Sequence, residues 1–245
     1  DICPSPADRP AATLEDGSLL ECNAEDDTSL FIYKTLSEPQ VGKVTYFKVY
    51  SGTLNTGDEL VNEANRNSER FNQVFIANGK NREQVNGLQA GDIGVTVKLK
   101  GAHTNNTLNT KGTDRAIQKI HFPAPRIRTA VNPPSKNDME KLIKAFHQIE
   151  EEDPTLILEQ SKALKQTILH GQGQLHLDII KYRIEKVNNI SMDFIRPKIS
   201  YRETITRAAN GSYRHKKQSG GSGQIGEVHM RIAPRTEHTP PPADL

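Results

Sequence analysis

Metal-binding and membrane-spanning patterns are what this chain most clearly lacks. Its two cysteines, Cys3 and Cys22, form no Cys-x-x-Cys pair and stand beside no paired histidines. That spacing argues against a zinc module and points to a reducing, cytoplasmic compartment. Apolar runs are only a few residues long, too short for a helix to cross a bilayer. The first residues show no signal-peptide pattern, and a start at Asp1 rather than Met is what an excised fragment is expected to give.

Catalytic signatures are missing as well. No Gly-x4-Gly-Lys-[Ser/Thr] phosphate loop and no His-Glu-x-x-His occur, and Gly-x-Ser-x-Gly fails at Gln224. No two histidines pair at ligand spacing. His170 and His176 bracket a glycine turn, and His176 reads as a hydrogen-bonded packing residue. The acidic run Glu150–Asp153 falls at a helix C-terminus and reads as a solvated helix end rather than a catalytic carboxylate pair. No catalytic, cofactor-binding or metal-binding residue is assigned.

What the chain does have is length, charge polarity and clear periodicity. Its 245 residues allow one large domain or two smaller ones, and 25% charged against 34% hydrophobic residues describe a soluble protein with much surface. The net charge of +2 hides an asymmetry: residues 1–31 hold eight acids and one base, residues 196–235 nine bases and two acids. A basic C-terminal segment on a near-neutral chain suits a local polyanion contact.

After an acidic lead-in over 1–28, residues 29–122 read as strands. Segments 29–34, 43–50, 59–61, 71–76 and 93–99 are rich in β-branched and aromatic residues, separated by glycine turns. Their spacing predicts a closed β-barrel. Residues 126–195 change period. A strand at 126–131 precedes Ser135 as N-cap, then a helix striped by Met139, Leu142, Ile143, Phe146 and Ile149 that stops before Pro154. Strands at 155–159 and 163–169, a helix burying Leu175, Ile179, Ile180, Ile184 and Val187, and a strand at 190–195 complete βαββαβ, a ferredoxin-like domain. From 197 a truncated α+β piece begins, with strands at 198–203 and 227–232.

Between those last two strands lies Gln218-Ser-Gly-Gly-Ser-Gly-Gln-Ile-Gly226, just after Arg214-His-Lys-Lys217. Uncovered glycine amides beside cations suit the approach of RNA phosphates. The formal match of 221–226 to a dinucleotide fingerprint fails on context, because no buried strand precedes it and no helix follows.

Six motifs carry a resemblance: Val41-Gly-Lys-Val-Thr-Tyr-Phe-Lys-Val-Tyr-Ser-Gly-Thr-Leu54, Ala90-Gly-Asp-Ile93, Glu151-Glu-Asp-Pro-Thr155, Gly171-x-Gly-x-Leu-His-Leu-x-Ile179, Tyr201-Arg-Glu-Thr204 and Gln218-Ser-Gly-Gly-x-Gly-Gln224. In this order they resemble the elongation factor G family of translational GTPases. The resemblance implies a second-domain barrel at 29–122, a third domain at 126–195 and the start of a fourth at 197–245. The GTPase domain, with its GTP and magnesium, would lie upstream of a lead-in at 1–28. It implies a monomeric, ribosome-binding portion that touches ribosomal RNA, tRNA and mRNA and couples GTP hydrolysis elsewhere to tRNA–mRNA translocation. Arg214, Lys216, Lys217, Gln218, Gly220, Gly221 and Gly223 would lie near RNA; Gly171, Gly173 and His176 would shape the third-domain turn. The chain departs from the family at Gln172 and Gln174, where Met and Glu are usual, and at Ser222, where Arg is common. Such departures fit a ribosomal-protection factor of the tetracycline-resistance type or a recycling paralogue as the alternative.

Overall fold

The computed structural model describes residues 4–38, 40–79, 81–201, 203–217, 220–221 and 224–234. Its contacts divide the chain into two compact units, Asp1–Pro197 and Lys198–Leu245.

The first unit opens with a 3-10 turn, Pro6–Asp8, closed by a capping box between Ser5 and Asp8. Strands β1 (Ala12–Thr13) and β2 (Leu19–Leu20) then pair as a small hairpin. Ten strands follow: β3 (Ser29–Glu38), β4 (Gly42–Ser51), β5 (Thr53–Asn55), β6 (Glu59–Asn62), β7 (Ser68–Arg70), β8 (Val74–Asn78), β9 (Asn81–Val85), β10 (Gly87–Gln89), β11 (Ile93–Val97) and β12 (Thr107–Asn109). Eight of them form one sheet in the order β7-β6-β12-β3-β4-β11-β8-β9, while β5 and β10 pair as a separate ribbon.

The expected barrel is therefore a curled sheet that closes through side chains, with β7 and β9 at its ends and not paired to each other. Leu30 and Ile32 of β3, Phe47 and Val49 of β4, Leu60 of β6, Val74 of β8 and Leu108 of β12 share one core with Leu54 and Leu88 of the ribbon. A register shift between Ile32 and Lys34 bulges β3 at Tyr33, the device by which strands gain local twist. Phe47 meets the edge of Phe71 at 5.6 Å, a favourable aromatic geometry. Gly94 makes this possible: a Cβ there would lie 2.2 Å from Leu88 Cδ1 and 2.6 Å from Phe47 Cζ. The acidic lead-in is also better ordered than its composition suggests, because Leu14 and Leu20 pack with Phe31 and Ile117 against the barrel's outer face.

The remainder of the unit is β13 (Ile127–Asn132), α1 (Lys136–Glu152), β14 (Ile157–Ser161), β15 (Gln166–Gly171), α2 (Gln174–Val187) and β16 (Asp193–Ile195). The sheet runs β14-β15-β13-β16 with every pair antiparallel, the ferredoxin-like arrangement. Ser135 caps α1 by accepting the N–H of Asp138 at 3.3 Å, and Leu142, Phe146 and Ile149 face the core. Strands β14 and β15 start later than their composition predicts. Asp153 Oδ1 binds both N–H and hydroxyl of Thr155, which makes that stretch a turn, and Lys165 takes φ 51° in the next one.

The buried face of α2 corrects the sequence reading. Leu177, Ile180 and Ile184 are buried, while Leu175, Ile179 and Val187 are 74%, 50% and 70% exposed. Leu177, Ile180 and Ile184 fall at i, i+3 and i+7 on the sheet side, and Leu175 lies half a turn away from Leu177.

Among its described residues the second unit holds a hairpin of β17 (Ala209–Lys217) and β18 (Gln224–Ile232). No strand forms at the described residues of 198–203. The basic run 214–217, not read as a strand from the sequence, forms the end of β17 directly before the glycine stretch.

Replacing Gly94 with Ala drives a methyl into Phe47 and Leu88, and overpacking of this kind costs about 1–3 kcal/mol. A lower chemical-denaturation midpoint with an unchanged m-value is the expected result.

Candidate functional site

Pairing in the hairpin sorts the cations onto two faces. Directly opposed residues of an antiparallel pair share a face, and successive residues alternate. Arg214 faces Glu227, Lys216 faces Ile225, Ser212 faces His229 and Asn210 faces Arg231. Lys217, opposite Gln224, lies on the other face with Tyr213, Val228, Met230 and Ile232. The hairpin is thus amphipathic: one face polar and cationic, one largely apolar.

Arg214 Nε sits 3.6 Å from Glu227 Oε2, and His229 Nε2 lies 3.2 Å from Glu227 Oε1. That carboxylate offsets part of the local charge. Lys216, Lys217 and Arg231 form no ion pair among the described residues. Gly220 holds φ +86°, and open space surrounds the Cβ positions of Gly220 and Gly221, so their amides are approachable. Gln218 and Gly223 lie outside the described residues, as does Ser222. Sequence reading overlooked Arg231 as a partner of this basic run, since 17 residues separate it from Arg214 and only the strand register brings it to the same face.

The third-domain turn is built around His176. Gly171 ends β15, and a Cβ there would come within 2.8 Å of Leu177 Cδ2 and 3.3 Å of His176 Nδ1. Absence of a side chain at 171 therefore allows the first turn of α2 to close over the strand end. Gly173 is the N-cap in an extended conformation and has no side-chain cap of its own. His176 Nδ1 accepts the N–H of Gln172 at 3.1 Å, and its Nε2 donates to Asp153 Oδ2 at 2.9 Å. The two contacts fix the ring and select the Nε2–H tautomer when it is neutral. His176 thus bridges the glycine turn and the end of α1. His170 belongs to a different contact, 2.9 Å from Glu159 Oε2 across the β14–β15 pair. No metal-binding cluster of His, Cys, Asp and Glu occurs among the described residues.

Gln172 and Gln174 both have work here. Gln172 Nε2 donates to the Pro123 carbonyl at 2.9 Å and ties the turn to the linker between barrel and sandwich. Gln174 Nε2 donates to Asp178 Oδ1 at 2.8 Å along α2. Burial pushes the Asp153 carboxyl up, but the Thr155 hydroxyl and N–H and the His176 ring outweigh it and hold the group below its ordinary value.

The acidic run at the end of α1 corrects a second sequence reading. It is a solvated helix end only in part: the Glu151 side chain is 45% exposed, but that of Glu152 is only 6% exposed and is paired to Arg183. The signal available in the sequence was the sign of the charge: carboxylates oppose the negative end of a helix dipole and need partners to compensate.

Comparison with known proteins follows the same division. Family models described as Elongation factor G domain 2, Elongation Factor G, domain III, and Elongation factor G, domain IV match residues 27–111, 122–195 and 197–240. An elongation factor G of Thermotoga neapolitana is 36% identical over 242 residues, which is 97% of this chain and 35% of that protein. A crystal structure of a Thermus thermophilus protein superposes with a TM-score of 0.73 at 31% identity, covering 86% of this chain and 32% of the other. The chain spans about a third of the length of these relatives.

A carboxylate held below its ordinary value stabilises the fold at any pH above about 3.9, and that contribution is lost as the pH falls through the lowered value. Acid unfolding of the Asp153→Asn variant should therefore be less steep below about pH 4 than that of the parent, with lower stability at neutral pH. Thermal melts across that range check both signs.

Proposed function

Because the chain belongs to the elongation factor G family, we propose that it is the ribosome-binding portion of a translational GTPase, coupling GTP hydrolysis in a separate domain to tRNA–mRNA translocation. The observation that supports this best is the succession of curled barrel, ferredoxin-like sandwich and basic hairpin, in the order of the family's second, third and fourth domains. In this reading the three domains grip the ribosome and couple it to the separate GTPase domain.

In this reading Lys216, Lys217 and Arg231, beside the approachable amides of Gly220 and Gly221, meet the phosphates of RNA in the decoding region. Lys216 and Arg231 on the polar face and Lys217 at the hairpin end supply the electrostatics, and the glycines allow the backbone to come close. The barrel rests on small-subunit ribosomal RNA, and the turn around His176 passes the nucleotide state to the sandwich. A ribosomal-protection factor is the alternative favoured by the departures at Gln172, Gln174 and Ser222.

The test joins this chain to its natural flanking sequence and measures ribosome-stimulated GTP hydrolysis and translocation, with and without tetracycline. Stimulation together with translocation supports the proposal. Stimulation with drug release and no translocation selects ribosomal protection, and no stimulation by ribosomes overturns both. Within the same protein, Lys216→Ala and Arg231→Ala should each reduce the slope of log affinity against log salt by about 1. Arg214→Ala should change it less, because Glu227 already offsets that charge. Affinity for ribosomes titrated over a salt series reads the difference.

A further inference from the structure

A helix ends with its carbonyl dipoles pointing outward, so acids in the last turn raise the energy of the fold and bases lower it. Helix α1 ends against that rule. Glu150, Glu151 and Glu152 finish it, Asp153 caps it, and its last turn holds no basic residue. Each of these four acids has a different partner.

Glu150 Oε1 accepts the N–H of Leu158 at 3.1 Å, which fixes the helix end to its own sheet. Glu151 Oε2 lies 3.1 Å from Lys43 Nζ. Glu152 Oε1 accepts the N–H of Ser37 at 3.0 Å, and its Oε2 accepts from Arg183 at 2.5 Å. Asp153 Oδ2 takes the His176 ring. Two of these acids thus reach Ser37 and Lys43, where β3 and β4 turn back on each other in the barrel. Two reach His176 and Arg183 on α2, and Glu152 does both. Gln148 Nε2 adds a 2.6 Å bond to the Ser37 hydroxyl, and Lys43 also donates to His103 Nδ1 at 3.2 Å.

We infer that this acidic run is a relay that transmits the position of α2 to the barrel, with Glu152 as its pivot. The physical basis is the sharing of one buried carboxylate between two partners. Each oxygen serves a different element, and the group is almost fully removed from water. Withdrawing Arg183 leaves a buried charge held only by a backbone N–H, a state that a buried carboxylate does not tolerate. The carboxylate then has to seek water, and its bond to Ser37 loosens with it. Movement of α2 is felt in this way by a strand pair with which it shares no direct polar contact among the described residues. His176 and Asp153 couple the glycine turn to the same helix end, so turn, α2 and barrel meet at one place. The use of such a relay in a ribosome-bound factor rests on the function proposed above, but the relay itself operates without ribosomes and is tested without them.

The experiment is hydrogen exchange on the intact protein that carries this chain, followed at the Ser37 amide, whose hydrogen bond goes to Glu152. Arg183→Leu should speed exchange at Ser37 about tenfold, although Arg183 does not touch it, while the core amides of β3 and β4 stay protected. Arg183→Lys should recover most of that protection. Lys43→Glu and Glu151→Lys should each loosen the same segment, and the double exchange should restore it, which identifies their direct contact as one brace of the strand pair. Faster exchange confined to α2 in Arg183→Leu, with Ser37 unchanged, would overturn the relay and leave two separate braces. Fast exchange at Ser37 in the parent protein would overturn it as well. If Arg183→Leu unfolds, Arg183→Gln decides by the same readout, with faster exchange at Ser37 expected of the relay and an unchanged rate overturning it. Loss of ribosome stimulation with an intact relay counts against the proposed function alone.

Discussion

The first unit depends on a carboxylate in a place where carboxylates are costly. Glu152 stands at the negative end of α1, where the dipole opposes it, and is nearly excluded from water, where desolvation opposes it again. Both costs are offset only because Arg183 and the Ser37 N–H arrive together, from α2 and from the barrel. The position of each element is thereby tied to that of the others. Around this point the neighbouring acids hold Lys43 and His176, and the glycine turn at 171–173 closes over Leu177.

The two structural halves joined there solve different packing problems. The barrel encloses a core with a sheet whose end strands do not pair, and relies on the bulge at Tyr33, the missing side chain at Gly94 and the β5–β10 ribbon to complete the enclosure. The sandwich lays two helices on one face of a four-stranded sheet, with Phe146 and Leu142 from α1 meeting Leu177, Ile180 and Ile184 from α2. The hairpin of the second unit has no such core among its described residues. Its Tyr213, Val228 and Met230 are exposed on one face together with Lys217, and Arg214, Lys216 and Arg231 project from the other.

Much of this was legible in the residues. The helical stripe from Leu142 to Ile149, the Ser135 cap, the stop before Pro154 and the β-branched strands of the barrel are all local patterns, and the structure follows them. The face of α2 was not legible, because apolar residues occur on both its sides and periodicity alone could not choose between Leu175 and Leu177. Strand β17 was hidden for a related reason. Ala-Asn-Gly-Ser-Tyr-Arg-His-Lys-Lys has little intrinsic strand character, and it is extended because 224–232 pairs along its full length.

What the sequence determined by itself was the type and order of the elements, since period, caps and breakers act over a few residues, and with them the domain series that the motifs announced. Tertiary structure alone decided which charges are partners. Glu152 and Ser37 are 115 positions apart, and a hydrogen bond across that span depends on the path of the whole intervening chain. The same separation turns an acidic run from surface decoration into the junction between barrel and sandwich, because burial and partners are properties of the folded neighbourhood.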